Sequence, residues 1–291
     1  MSRTAVVRLA ALLLVAWATP ALADTQDLEL WKLGSPRNTL GDGRPNPLFS
    51  PDAQERFRKL SLELGLALAS STGMPAETVG MSGFEFNFEW TMAQVHASQM
   101  VGDRYIWPVS DNKPNEWLQM PAFHVRKGFP FSTEVGARIQ YLSQTEMVAA
   151  TVEAKIALNE GFLFIPDFSV RGHGTRLVGN RDYDLTIAGV DLGLSKEIGL
   201  AGMLTLTPYV GWDILLLTAD SNIIDFDPLY ENPKNPSLDD AVFAEEISQN
   251  NRFYGGFRYI GAIGTLGLEY SFAAAGENSV SAFTGKAGLN F

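Results

Sequence analysis

The chain has no cysteine among its 291 residues, and after its first 23 residues no run approaches eighteen consecutive apolar residues. The absence of cysteine excludes a disulfide framework, and the short apolar runs exclude a transmembrane helix in the remainder. Basic residues are scarce, because 22 Lys and Arg stand against 33 Asp and Glu. This balance argues against a nucleic-acid-binding protein, in which a basic stripe is expected.

The first 23 residues have the pattern of a secretory signal peptide. Two arginines open the segment, an apolar run follows, and Pro20 breaks that run. Small residues at Ala21 and Ala23 fit the site that a signal peptidase recognises, so we predict cleavage after Ala23. The apolar run is short for a membrane span, and a retained anchor is the alternative.

Residues 24–58 form a compositionally distinct segment, rich in Gly, Pro, Asn and Asp and without sustained periodicity. This composition predicts an irregular lead-in. Ser50 followed by Pro51 is typical of a helix start, so a short helical turn is predicted there. We expect the segment to lie in the periplasm or to fold inward as a plug.

From Lys59 onward, apolar residues alternate with polar or small ones, a period that predicts β-strands. The segment 59–69 places five leucines at alternate positions, and the segment 84–91 does the same with three phenylalanines and Trp90. Between residues 183 and 195 the apolar phase slips by one at Gly189, which predicts a β-bulge. The predicted strands are 59–69, 84–91, 131–141, 148–158, 162–171, 183–195, 204–217, 253–259, 265–272 and 280–291.

Two architectures fit such a series of strands: a soluble sandwich or lipocalin-like barrel with its apolar faces inward, and a membrane barrel with those faces toward lipid. Uniformly large apolar faces, small or charged polar faces, and connections that alternate between short and long favour the membrane barrel. So do aromatic residues gathered near the predicted strand ends. These are Trp90, Trp107, Trp117, Phe129, Phe131, Tyr141, Phe162, Tyr183, Tyr270 and Phe272.

The last predicted strand ends on Phe291, with Leu289, Ala287 and Phe283 at alternate positions before it. Together with the leader and the strand pattern, this ending resembles the outer-membrane β-barrel proteins of Gram-negative bacteria, over residues 59–291. The resemblance implies an all-β, antiparallel transmembrane barrel with a long loop at residues 219–251. It also implies contact with outer-membrane lipid and lipopolysaccharide, and recognition of the terminal strand by the barrel-assembly machinery.

The strand number follows from the even count that single-chain bacterial barrels have. The segments that alternate give ten or eleven strands, and residues 92–109 contain a further strand-like stretch before Pro108. We therefore predict twelve strands, with ten as the next alternative.

In this architecture the polar faces enclose the lumen, for which there are two interpretations. An excess of acids in water favours a narrow, porin-like channel that passes small solutes and prefers cations. The alternative is a structural or surface-exposed barrel whose lumen is filled by paired charges. The candidate lumen residues are Glu63, Glu85, Glu89, Glu134, Arg138, Glu153, Lys155, Asp213, Arg258, Glu269 and Lys286.

Patterns for catalysis or metal binding are weak. None of the three histidines has a Ser or Asp at the spacing of a nucleophile–base pair, and no metal-ligand spacing is present. Arg171, His173 and Arg176 could form an anion site at the outer rim, with ordinary loop residues as the alternative. The acidic segment 219–251 is predicted to be a solvated loop or a constriction. The sequence predicts no cofactor, no metal and no enzymatic activity, and a lipid-modifying hydrolase is the remaining alternative.

Overall fold

The computed structural model describes residues 25–34, 51–69, 74–110, 114–162, 164–200, 204–226, 240–261 and 264–291. The predicted signal peptide, the segment 35–50 and residues 227–239 of the long acidic loop lie outside this range. Among the described residues, no helix has both the length and the apolar character needed to cross a membrane.

Ten antiparallel strands form one closed sheet, in which each strand pairs with its neighbours along the chain and the first pairs with the last. Phe84 and Phe291 exchange two backbone hydrogen bonds of 2.9 Å at this seam. The predicted antiparallel barrel is confirmed, with ten strands rather than twelve. The strands are β1 (Phe84–Gln94), β2 (Trp117–Phe129), β3 (Thr133–Tyr141), β4 (Val148–Asn159), β5 (Asp167–Val178), β6 (Tyr183–Ser195), β7 (Leu204–Ser221), β8 (Glu246–Gly261), β9 (Gly264–Ala274) and β10 (Val280–Asn290).

The two ends of the barrel differ in their connections. At one end, which we call the turn end, β1 starts and β10 stops, and residues 130–132, 160–166, 196–203 and 262–263 join the strands. At the opposite end, the loop end, residues 95–116 and 222–245 form two long connections and residues 142–147, 179–182 and 275–279 form shorter ones. Outer-membrane barrels have the same asymmetry, with their longer loops outside the cell.

Several short elements lie outside the ten-stranded ladder. Met100–Val101 and Arg104–Tyr105 form a small hairpin within the first long loop, so the strand-like stretch in residues 92–109 adds no strand to the barrel. Ile224–Asp225 pairs with Asp240–Ala241 in the other long loop. Ile198–Leu200 lies beside the start of β7 as an additional strand. Leu30–Leu33 and Gly276–Asn278 form single 3₁₀ turns.

Side chains alternate strictly between the outside and the inside of the barrel, and large apolar residues face outward. In β1 the aromatic residues Phe84, Phe86, Phe88 and Trp90 are exposed, whereas the polar residues between them are buried. So many exposed apolar side chains would aggregate in water, but they are the expected surface toward lipid. Further outward examples are Phe123, Ile139, Val152, Val210, Leu216, Phe253, Leu266, Leu268 and Phe283.

The predicted strand at residues 59–69 is wrong, because residues 59–68 belong to helix α1 (Pro51–Leu68). Successive residues of a helix are 100° apart, so leucines at every second position fall on two nearly opposite sides. A helix that is apolar all round is typical of a buried one. Leu60, Leu64 and Leu68 are fully buried, and Leu62 and Leu66 are 8% and 3% exposed. The helix start at Pro51 agrees with the predicted helical turn, which the structure extends to eighteen residues.

Strand β2 was not among the predicted strands, and its inner face explains why. Leu118, Met120 and Ala122 point inward in its first half, and His124 and Arg126 point inward in its second half. A face that changes from apolar to charged within one strand lacks uniform alternation. The predicted bulge at Gly189 is wrong, and a similar change of the inner face explains why it was predicted. Strand β6 pairs with both neighbours without a register shift, and its inward residues change from Leu185 and Ile187 to Asp191.

Candidate functional site in the barrel interior

The N-terminal part of the chain fills the interior in three described pieces. Residues 25–34 lie at the loop end, α1 lies within the barrel, and residues 74–80 lie at the turn end. Each position is fixed by contacts with barrel residues from several strands or loops. The candidate functional site is therefore the interior of the barrel.

Residues 25–34 are attached to three loops at the loop end. The backbone N–H of Gln26 donates to the carbonyl of Gln144 (3.1 Å), and that of Glu29 donates to Pro108 (2.7 Å). The Asn180 side chain donates to the carbonyl of Leu28 (3.1 Å). These contacts come from loops 95–116, 142–147 and 179–182, so the segment spans the mouth of the barrel.

Helix α1 occupies the half of the lumen nearer the loop end. Phe57 stacks on Phe243 with ring centroids 4.6 Å apart and contacts Tyr183 edge-on at 5.8 Å. At Gly65 the helix comes so close to β7 that an added Cβ would lie 1.9 Å from Leu217 Cδ2. Burial of each large apolar side chain contributes roughly 1.5–3 kcal/mol, so packing holds the helix firmly.

Two buried charges on α1 attach it to the loops. Glu63 accepts hydrogen bonds from the indole N–H of Trp107 (2.9 Å), the side chain of Asn278 (2.7 Å) and the backbone N–H of His96 (3.0 Å). Arg56 donates to the carbonyls of Leu33 and Val101, the shortest distance being 2.6 Å. A buried charge is tolerated where its hydrogen bonds are made within the protein. Glu63, predicted to line the lumen from a strand, thus lies on the helix and contacts the loops.

Below the helix, the half of the lumen nearer the turn end holds a network of buried charges, with Glu153 at its centre. The carboxylate of Glu153 accepts from Arg126 Nε (2.8 Å) and Arg171 Nη1 (2.5 Å), and lies 2.9 Å from His124 Nε2. The other ring nitrogen of His124 lies 2.8 Å from Glu89. Arg126 on β2 can reach Glu153 on β4 because Gly136, which lies opposite Glu153 on the intervening strand β3, has no side chain.

A second part of the network joins the helix to the barrel wall. Arg252 donates to Asp213 (2.5 Å) and to the carbonyl of Ala69 (2.9 Å), directly after the end of α1. A cation at this place complements the negative end of the helix dipole. His173 lies 3.2 Å from Asp213, and Asp191 pairs with Arg171. His173, Asp191 and Asp213 are close enough to hold a metal ion, but both carboxylates already pair with guanidinium groups.

Residues 74–80 close the turn end. Lys155 donates to the carbonyl of Glu77 (2.8 Å), Glu134 accepts from the N–H of Val79 (3.0 Å), and Arg258 pairs with Glu77. Glu160, in the turn after β4, accepts from the backbone N–H of Thr78 (2.9 Å). Burial raises the pKa of Glu160, but hydrogen bonds from Thr78 and Ser132 outweigh it and leave the pKa below its usual value.

Ten of the predicted lumen residues lie on strands and point inward, and all ten are buried. They are Glu85, Glu89, Glu134, Arg138, Glu153, Lys155, Asp213, Arg258, Glu269 and Lys286. Their exposed fractions run from 0% for Glu85, Glu89 and Asp213 to 7% for Glu153. A water-filled channel would leave such side chains accessible to water. The lumen is therefore packed around these ten residues.

Sequence reasoning missed five charged residues of the interior. Arg126, Arg171, Asp167, Asp191 and Arg252 also point inward and are buried. With them, eight acids and seven bases of the described strands lie inside the barrel, which removes most of the acid excess behind the predicted cation preference. For Arg252 the usable signal was its inward parity with the predicted residue Arg258 on the same strand, β8.

Two further predictions about individual residues are corrected by the structure. Arg171 and His173 belong to strand β5 and point into the interior, whereas Arg176 points outward and pairs with Asp184, so these residues form no anion site at the rim. Trp107 and Tyr183 are buried at the loop end rather than facing lipid. Of the predicted terminal signal, Phe283, Ala287, Leu289 and Phe291 are all exposed on the outer face.

Comparisons with known proteins give structural likeness only. No family model matches the chain, and no curated protein matches it by sequence. Similar solved structures include Ail, the attachment invasion locus protein of Yersinia pestis (9% identity, 73% of this chain and 100% of that chain, TM-score 0.30). Another is the KdgM porin (6% identity, 70% of this chain and 99% of that chain, TM-score 0.32). A third is the outer membrane protein Omp33 of Acinetobacter baumannii (8% identity, 73% of this chain and 100% of that chain, TM-score 0.28).

At these identities and TM-scores, the comparisons carry no argument about individual residues. The class of the protein follows from its own architecture, which is a closed antiparallel ladder with apolar residues outside and charged residues inside. The protein is a closed antiparallel β-barrel with the apolar outer surface and charged interior that outer-membrane barrels have.

Proposed function

We propose that the protein is a closed barrel of the bacterial outer membrane, exported with a cleaved signal peptide, whose own N-terminal chain fills its lumen. This is the structural, surface-exposed alternative to a porin-like channel. The observation that carries it is the burial of the interior charges, since ten predicted lumen residues are at most 7% exposed. Contact with outer-membrane lipid and lipopolysaccharide is part of the proposal.

The charges inside the barrel support a structural role, because they pair with one another instead of lining water. An unpaired charge away from water costs several kcal/mol, so a packed interior requires pairing of this kind. Glu89 pairs with Arg138 at 2.7 Å and Glu134 with Lys155 at 3.1 Å. A solute could pass only if α1 and residues 74–80 were displaced.

The hydrolase alternative gains no support from the described residues. His124 and His173 are buried against carboxylates, and His96 lies at the loop end, 3.1 Å from Glu63. A general base must reach its substrate within hydrogen-bonding distance. No described histidine has both solvent access and a neighbouring nucleophile in the structure.

Conductance measurements test the closed barrel directly. Purified protein, reconstituted into a planar bilayer, is expected to show no current steps above bare lipid, because the ten predicted lumen residues on the strands are at most 7% exposed. A variant lacking residues 51–80 serves as the matched comparison and is expected to conduct, since both the helix and the closing segment are removed. Incorporation of both proteins is verified by heat modifiability on gels. Regular current steps from the full chain would contradict the proposal.

We also propose that the terminal strand is the signal for the barrel-assembly machinery. The outer face of β10 presents Phe283 and Leu289, and Phe291 continues this face while its backbone pairs with Phe84. Deletion of Phe291 is expected to lower the heat-modifiable, folded fraction in cells. Substitution of the inward residue Thr284 by valine, on the same strand, is the control. Equal folded fractions for both variants would exclude this role.

A further inference from the structure

We infer that the chain is threaded through its own barrel, so that residues 25–34 form part of the surface outside the cell. This goes beyond a closed lumen, because it assigns the two ends of the N-terminal chain to opposite sides of the membrane. It rests on the proposed outer-membrane location, with the loop end outside.

The first step is the position of residues 25–34, which belong to the loop end alone. Leu28 forms a β-bridge with Val109, and the N–H of Ser110 donates to the carbonyl of Asp27 (2.9 Å). Lys32 Nζ donates to the carbonyls of Val109 (2.8 Å) and Ser110 (3.0 Å). All of these partners lie in the long loop 95–116, so residues 25–34 are hydrogen-bonded to that loop.

The second step is the direction of the chain after this segment. Phe57, near the start of α1, packs against Phe243 of the long loop 222–245. The carbonyl of Ala69, just after the helix, meets Arg252 within strand β8. Glu77 then contacts Lys155 and Arg258, which point inward near the turn end. The contacts therefore advance from the loop end to the turn end as the residue number rises.

The third step is the exit of the chain from the lumen. The N–H of Gly128 donates to the carbonyl of Gly83 (3.1 Å), and β1 begins with Phe84 at the turn end. The described segments thus lie at the loop end in residues 25–34, within the interior in α1, and at the turn end in residues 74–83, just before the first strand starts. If the loop end faces outward, as the long loops indicate, residues 25–34 lie outside the cell and residue 83 lies on the periplasmic side.

The geometry also defines a surface that this segment shares with the first long loop. A cleft of about 260 Å³ lies between them and is lined by Lys32, Arg104, Tyr105, Trp107 and Pro108. Arg104 donates to the carbonyl of Lys32 (2.8 Å), so the two walls are joined. Removal of the N-terminal segment would remove one wall of this cleft.

Cysteine accessibility tests the threading, because the native chain contains no cysteine and each variant then carries a single thiol. Thr25→Cys reports on the N-terminal segment, and Glu277→Cys, with a side chain 85% exposed, reports on the loop end. Ser82→Cys reports on the turn end, where residue 82 is exposed. Cells are treated with a maleimide attached to a polymer too large to cross the outer membrane, before and after permeabilisation.

Threading predicts that Thr25→Cys and Glu277→Cys are labelled on intact cells, whereas Ser82→Cys is labelled only after permeabilisation. If Glu277→Cys is labelled on intact cells but Thr25→Cys is not, the threading is overturned while the proposed barrel stands. If Glu277→Cys also requires permeabilisation, the proposed location or orientation fails instead. Detection of a peptide tag inserted before Thr25, by antibody on intact cells, is expected to agree with the thiol result. Absence of that signal beside a labelled Glu277→Cys would count against the threading.

Discussion

Replacing Glu153 with leucine is expected to destabilise the folded barrel by about 3–5 kcal/mol, the cost of breaking a buried ion pair by removal of one partner. Glu153 is the acceptor shared by Arg126 and Arg171, at 2.8 and 2.5 Å. Leucine has a similar volume but no acceptor, so two guanidinium groups would lose a common counter-charge inside the barrel. His124, 2.9 Å away, would lose a partner as well.

Urea unfolding in detergent micelles, followed by tryptophan fluorescence and by heat modifiability, measures this loss. Thr151→Val is the matched control, because Thr151 lies on the same strand, points inward and makes a neutral hydrogen bond of 2.7 Å to Thr175. Its expected cost is about 1 kcal/mol. Glu153→Gln, which keeps an acceptor oxygen but loses the charge, is expected to fall between the two. Equal unfolding midpoints for Glu153→Leu and Thr151→Val would show that the network is not the main source of interior stability.

Replacing Gly65 with phenylalanine is expected to displace α1 from the lumen while the strand ladder stays intact. A Cβ at this position would lie 1.9 Å from Leu217 Cδ2, 3.3 Å from Leu217 Cγ and 3.7 Å from Leu185 Cδ1. A single methyl group is accommodated by rotation of the flexible Leu217 side chain. A phenyl ring cannot fit, and overpacking of a filled interior costs typically 1–3 kcal/mol, occasionally more.

Limited trypsin digestion of the purified, folded protein detects the displacement. Arg56 is a cleavage site within α1 that is only 1% exposed in the native structure. We expect Gly65→Phe to be cut after Arg56 and the native protein to resist cleavage there. Gly65→Ala is the control and should resist as well.

A compensating substitution separates displacement of the helix from general misfolding. Leu217→Ala removes the side chain that the phenyl ring would meet, so the variant that combines it with Gly65→Phe is expected to regain resistance to trypsin. All variants should remain heat-modifiable, because the hydrogen bonds of the ladder do not involve Gly65. Resistance of Gly65→Phe itself would mean that α1 packs less closely against β7 than the structure indicates.

The outer surface of the barrel could be predicted from the sequence because its environment is uniform. Every outward residue in the membrane meets the same hydrocarbon, so apolar residues recur at every second position, as in Phe84, Phe86 and Phe88. The inward parity of ten charged residues followed from the same period. The strand β10, with Phe283, Leu289 and Phe291 outward, is the clearest case.

The interior could not be predicted in the same way, because its environment changes along the barrel axis. Where α1 lies, the inward residues are apolar, such as Leu185 and Leu217, and below it they are charged, such as Asp191 and Asp213. This change hid β2 and produced the apparent phase slip at Gly189. The period of two in residues 59–69 could not distinguish a strand from a helix. A helix inside a closed lumen is buried on all sides, so its leucines need not recur with the helical period.

By itself, the sequence determined that the protein is an antiparallel barrel with apolar residues outside and charged residues inside, since that pattern depends only on neighbours along the chain. Only the tertiary structure decided that the N-terminal chain fills the lumen and that Glu153 pairs with Arg126 and Arg171. Both depend on sheet register and on contacts between residues far apart in sequence, which determine whether each charge meets water or a counter-charge.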